Sequence, residues 1–102
     1  MSTNLEDLLK NTEYQEKYIG ERIKQTKISY IWKFDYEYIT YTVELHCSKL
    51  SGKYRLYLNK QLLKEIVELF QPFNHQFNIN DMKCMVIQYG SKFDFRIENQ
   101  SF

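Results

Sequence analysis

The chain has no alanine, one proline and three glycines in 102 residues. So little Pro and Gly excludes collagen-like, linker-like and low-complexity classes. Gly20, Gly52 and Gly90 are isolated, so no glycine-rich phosphate loop can be built from them. Cysteine is as scarce: Cys47 and Cys84 stand alone, without a CxxC, which excludes a disulfide framework and a cysteine-rich zinc site. No apolar run approaches the roughly 18 residues that span a bilayer, so membrane insertion is not expected. An excess of one charge is also missing. Lys and Arg number 14 against 13 Asp and Glu, a net +1, which gives no reason to expect nucleic acid or an anionic membrane as partner. The first residues, MSTNLEDLLKNTEYQEK, have neither the basic and apolar regions of a signal peptide nor the acid-poor character of a transit peptide. A cytoplasmic, reducing location follows as the expectation, with both thiols serving as small buried apolar groups.

Aromatic residues make up 17% and hydrophobic residues 43%, enough for one core in one domain. Lys, Ile, Tyr, Phe and Asn, all with AT-rich codons, are abundant, so genomic base bias explains the tyrosines without a binding surface.

Residues 1–27 differ from the rest. Five acids and five bases surround a narrow set of apolar residues, and Thr3 with Glu6 fits a capping box ahead of Leu5, Leu8 and Leu9. Tyr14 and Tyr18, like Ile19 and Ile23, are four apart and would share a helical face. The segment reads as one or two short helices, able to dock on the chain's own core, to dock on a partner, or to stay disordered.

From Ser29 the period becomes two. Tyr30, Trp32 and Phe34 alternate with Ile31, Lys33 and Asp35; Ile39, Tyr41, Val43, Leu45 and Cys47 alternate with Thr40, Thr42, Glu44 and His46. Residues 48–53 read as a turn, Tyr54, Leu56 and Leu58 as the returning strand, and Asn59-Lys60 as a second tight turn. Residues 61–70 are ambiguous: Leu62, Leu63, Ile66, Leu69 and Phe70 follow helical spacing, but the place after a hairpin turn argues for strand. Phe77 and Ile79, then Met85, Ile87 and Tyr89, then Phe93, Phe95 and Ile97 give further alternating runs, separated by Asn80-Asp81 and Gly90-Ser91. Residues 28–102 are therefore expected to form a small antiparallel β-sandwich behind a short helical extension at 1–27. The expected core is Trp32, Val43, Leu45, Leu56, Leu58, Phe77, Ile87, Phe95 and Ile97.

Catalytic constellations are sparse. His46 and His75 are the only histidines. His46 lies next to Cys47 on the opposite strand face, so the two cannot act together as base and nucleophile, whereas His75 could meet Cys84 or Cys47 in space. No spacing of His and Cys suits a metal, so neither metal nor cofactor is expected. Glu44, Asp94 and Glu98 read as solvated carboxylates. Ser51-Gly52-Lys53 lacks the rest of a P-loop and reads as a hairpin turn with Gly52 at positive φ.

The stretch Val43-Glu44-Leu45, then Ser51-Gly52-Lys53, then Leu56-Tyr57-Leu58-Asn59 resembles the hairpin of the Fas apoptotic inhibitory molecule family. Trp32 with Phe34 is similar to that family's opening strand, and residues 88–99 to its last one. The resemblance covers about residues 29–102, and Lys60 stands where the family has glycine. It implies an antiparallel β-sandwich with no catalytic centre that acts through protein contacts, and it tips 61–70 toward strand. The expectation is a non-enzymatic protein-binding regulator or adaptor. The alternative is a structural subunit of a larger assembly, docked through the first segment. Leu5, Leu8, Leu9, Tyr14, Tyr18 and Ile23 are the expected partner-binding residues.

Overall fold

A computed structural model describes residues 12–20, 26–68 and 70–98, and the backbone of 100 and 101. Two antiparallel sheets face each other. The first runs β1 (Glu13–Tyr18), β2 (Lys27–Tyr36), β3 (Ile39–Ser48), β4 (Lys53–Leu58) and β5 (Gln61–Val67). The second runs β6 (Asn74–Ile79), β7 (Met82–Tyr89), β8 (Lys92–Ile97) and β9 (Gln100–Ser101). Each strand pairs only with its neighbours in sequence, so both sheets are meanders. Among the described residues there is no α-helix, and none long and apolar enough to cross a membrane.

Tight turns make these meanders possible. Glu37 and Tyr38 (φ 50° and 68°) join β2 to β3, and Asn59 and Lys60 (φ 48° and 68°) join β4 to β5. Positive φ at both central residues matches the right-handed twist of the flanking strands. Asn80 (φ 52°) and Gly90 (φ 57°) open the next two hairpins with positive φ at the first central residue only. Lys60 thus adopts the left-handed conformation without being glycine. Asn59 adds to the ladder: its N–H donates to the Thr42 carbonyl at 2.8 Å, and its Oδ1 accepts from the Thr42 N–H at 2.8 Å. Gly52, at φ 67°, closes the longer β3–β4 turn as expected.

The core lies where the alternating faces meet. Tyr30, Trp32 and Phe34 of β2 reach Phe93 and Phe95 of β8, with ring centroids 4.7 Å apart for Tyr30–Phe93 and 5.9 Å for Trp32–Phe95. Val43, Leu45, Leu56, Val86 and Ile97 have no exposed surface. Gln88 ties the β5–β6 link to the second sheet: its Oε1 accepts from the Phe73 N–H at 3.0 Å, and its Nε2 donates to the Gly90 carbonyl at 2.9 Å.

Several expectations need correction. Glu13–Tyr18 is strand, not helix: it pairs antiparallel with β2, Tyr14 opposite Trp32 and Tyr18 opposite Ile28. Residues four apart share a face in a strand as well as in a helix, so the Tyr14–Tyr18 spacing suited both. The unpaired edge of β2 decides for strand, because its backbone donors and acceptors need partners. The capping box at Thr3 and Glu6, and Leu5, Leu8, Leu9 and Ile23, lie outside the described residues. Residues 61–67 are strand, as the hairpin position implied. Of the expected core, Trp32, Val43, Leu45, Leu56, Phe95 and Ile97 are buried, and Leu58 and Phe77 pack against them half-buried. Ile87 is misplaced. Val86 pairs with Phe95 and Cys84 with Ile97, which sends Cys84 and Val86 inward and Met85 and Ile87 to the outer face.

Candidate functional site

The outer face of the five-stranded sheet carries a connected polar cluster. On β3 the residues alternating with the core set are Thr40, Thr42, Glu44, His46 and Ser48; their neighbours are Ser29 and Ile31 of β2 and Arg55 and Tyr57 of β4. Glu44 does not behave as a solvated carboxylate. Ile31 and Tyr57 are its cross-strand partners, and only 6% of its surface is exposed. A buried carboxylate must be neutralised or fully hydrogen-bonded. Here the Lys60 ammonium donates to Oε1 at 2.8 Å, and His46 Nε2 lies 3.2 Å from Oε2. Burial alone would raise the Glu44 pKa; the hydrogen bonds and charges of Lys60 and His46 outweigh it and hold the carboxyl below its ordinary value. The expectation of a freely solvated Glu44 is therefore corrected: flanking side chains on a central strand cover even the outward residues.

His46 is held from two sides. Glu44 fixes one ring nitrogen, and the ring lies 4.7 Å, centroid to centroid, from Tyr57. Its cross-strand partner on β2, Ser29, is buried, and its hydroxyl has no hydrogen-bond partner among the described residues. On β4, Arg55 Nε contacts Glu65 at 2.5 Å.

Beyond His46 the face dips into a cavity of about 220 Å³ lined by Ile19, Lys27, His46, Cys47, Ser48, Ser51, Lys53 and Arg55. Register explains the convergence. Lys27 pairs with Ser48 across β2–β3, and Tyr54 with Cys47 across β3–β4, so Lys53 flanks Ser48 from the other side. The β3–β4 turn adds Ser51, whose Oγ accepts from the Lys53 N–H at 3.3 Å. Cationic and hydroxyl groups dominate this concavity. A histidine oriented by a carboxylate is also an element of general-base chemistry. Among the described residues, however, no hydrogen bond joins His46 to Ser48, Ser51 or Cys47.

The remaining reactive groups sit apart. His75 points inward on β6 between Phe73 and Phe77, with ring centroids 6.5 and 6.2 Å away, and burial first, then Lys64, lowers its pKa. Cys84 is buried, and burial pushes its thiol up to about 12; burial also raises Cys47. Both shifts disfavour the thiolate, the reactive form. Among the described residues no group of three or more His, Cys, Asp or Glu could hold a metal.

Of the expected partner-binding residues, the structure places Tyr14 and Tyr18 on β1, the outer edge of the first sheet, 46% and 60% exposed. The opposite edge was not foreseen. β5 carries Leu62 (48% exposed), Leu63 (38%) and Val67 (58%), and Phe70 beyond it is 94% exposed. Leu62, Leu63 and Phe70 belong to the set with helical spacing, Val67 does not; the exposure on β5 comes from the edge position and from a bulge opposite Leu56 and Tyr57.

No protein-family model, no curated protein and no solved structure matches the chain.

Proposed function

We propose that the chain is a non-enzymatic protein-binding module, a regulator or adaptor of the kind the Fas apoptotic inhibitory molecule resemblance implies. It takes an extended segment of its partner along the free edge of β5. A fold alone does not define a function. The observation that carries this reading is the apolar surface of one particular edge. β5 pairs only with β4, and its exposed residues include Leu62, Leu63 and Val67. β5 also exposes Gln61, Lys64 and Glu65, but its exposed apolar residues are aliphatic, whereas β1 shows Tyr14 and Tyr18 among Glu13, Gln15, Glu16 and Lys17, and β6 shows Asn74, Gln76 and Asn78. Edge strands are usually blunted by charge. An edge that keeps aliphatic side chains among its charges offers backbone hydrogen bonds for affinity and alternating side chains for selectivity.

The test uses Leu63→Lys with Val67→Lys, both on exposed sites, so the melting temperature should hold within a few degrees. Partners captured by the wild-type chain should be lost by the variant, and one such partner, added back, should slow hydrogen exchange at the amides of 61–67. Protection at another edge, or an unchanged partner set, would overturn the reading. Concentration-dependent dimerisation through β5 would replace the partner with a second copy. The second reading, a structural subunit of a larger assembly, draws on the exposed Tyr14 and Tyr18 of β1. It requires the chain to elute with a large complex and protection to fall on 13–18.

A further inference from the structure

We infer that the cavity beside His46 is a phosphoryl-binding site, independent of the β5 edge. Three adjacent strands set its groups in two rows on one face: Lys27, Ser48 and Lys53 in the first, His46 and Arg55 in the second. Ser51 closes the end from the turn. Lys27 and Lys53 thus bring two positive charges to one concavity on rigid strands, with hydroxyls between them and Arg55, its Nε held by Glu65, beside them. Like charges gathered across neighbouring strands repel one another, which disfavours the empty arrangement and favours an anion in it.

The local carboxylates are already engaged elsewhere. Glu44 is held by Lys60 and His46, and Glu65 by Arg55. Glu68 donates its backbone N–H to the Gly52 carbonyl at 3.0 Å but lines a different cavity, beside Tyr54 and Phe70. Among the described residues, neither Lys27 nor Lys53 makes an ion pair, and no carboxylate lines the site. Two lysines that supply point charges suit a phosphate monoester, which carries close to two negative charges at neutral pH, and the Arg55 guanidinium, whose Nε is taken by Glu65, has its Nη groups left as donors. The recognition is by side chains, unlike the backbone cradle of a P-loop. At about 220 Å³ the cavity holds a phosphoryl group and a few attached atoms. It falls below the ~300–1,000 Å³ of pockets that enclose larger ligands, so a nucleoside would remain outside.

The test is an amide-resolved NMR titration at constant ionic strength with inorganic phosphate, a phosphoserine peptide, its unphosphorylated form, a nucleoside monophosphate and acetate. Saturable shifts at His46, Ser48, Ser51, Gly52 and Lys53 are expected with the phosphoryl compounds. Lys27→Gln and Lys53→Gln should each weaken binding about tenfold or more, whereas Lys33→Gln, on the same face but away from the cavity, should not. Melting curves of all three variants, expected to overlay the wild type, separate lost binding from lost folding. A phosphopeptide tenfold tighter than phosphate would name a modified protein as the source; equal affinities would name free phosphate or a small ester. Either result supports the site. Shifts that never saturate and spread over all lysines, acetate binding as tightly as phosphate, or affinities unchanged in both cavity variants would overturn it.

Discussion

Glu44 shows at the scale of one residue how a sheet turns an outward position into a buried one. Its carboxylate is enclosed by Ile31, Tyr57, His46 and Lys60, so an amide in its place loses the charge that pairs with the Lys60 ammonium and sets an NH2 where one of the two acceptor oxygens stood. Glu44→Gln is expected to cost about 1–3 kcal/mol in denaturant unfolding, the range for a broken hydrogen bond that strands a buried polar group. Thr42→Ala, two residues earlier on the same face, should stay within about 0.5 kcal/mol. The same group sets an acid limb. The folded-state pKa of Glu44 is depressed, so its contribution is complete above the ordinary carboxylate value of 4.5 and is lost as pH falls through the lower folded value. His75 acts earlier and in the same direction. Its folded pKa lies below the ordinary 6.5 because burial, then Lys64, disfavours the charged ring, so the unfolded chain takes up the proton first and stability declines once pH drops below about 6.5. Melting temperature followed from pH 8 to pH 3 should therefore fall in two steps. His75→Phe should remove the upper step and Glu44→Gln the lower one; an acid limb unchanged by Glu44→Gln would show that the carboxyl is not held as described.

At the scale of elements, β7 decides a question of register. Its sequence alternates apolar residues on both faces, Met82, Cys84 and Val86 on one and Met85 and Ile87 on the other, so alternation alone cannot say which set is inside. Pairing with β8 settles it, because Phe95 and Ile97 are buried and stand opposite Val86 and Cys84. Val86→Ala is expected to cost on the order of 1–3 kcal/mol, since the methyl groups removed lie in a closed core, and Ile87→Ala clearly less. Equal losses would put β7 in the other register. The strands of β2, β3 and β4 were legible for the opposite reason: Lys33, Thr42, Glu44 and Arg55 mark one face as polar, and the Asn59-Lys60 and Gly52 turns mark the ends. Residues 61–67 were not, because the bulge shifts pairing between Leu56 and Tyr57 and inserts Leu63, which breaks the period of two into something close to a helical one. The cationic cavity was illegible as well. Lys27 is far in sequence from Ser48 and Lys53 and meets them only through the register of three strands, while the nearest local signal, Ser51-Gly52-Lys53, belongs to a turn.

The described residues form two meanders, with β1 on the rim of the first. All six β1 residues are exposed to a substantial degree, yet the strand is not idle: the Tyr14 ring lies 5.4 Å, centroid to centroid, from Trp32, and Glu16 approaches the Lys92 ammonium of β8 at 3.4 Å. An exposed ion pair of this kind is worth little, so most of what β1 adds is the aromatic cover over Trp32 and the backbone ladder to β2. The core proper, from Phe34 and Leu45 to Phe95 and Ile97, is assembled without it. A chain shortened to begin at Thr26 is therefore expected to keep one cooperative thermal transition at a lower midpoint. Trp32 is the single tryptophan, 3% exposed, and so reports this directly. Removing β1 should open one side of its ring to water, move its emission to longer wavelength and make it accessible to a neutral quencher such as acrylamide. Tyr14→Ala in the full chain should give the same changes in weaker form. A shortened chain with no cooperative transition would make β1 an integral part of the core, and one whose tryptophan emission stays unchanged would show that Tyr14 does not shield Trp32.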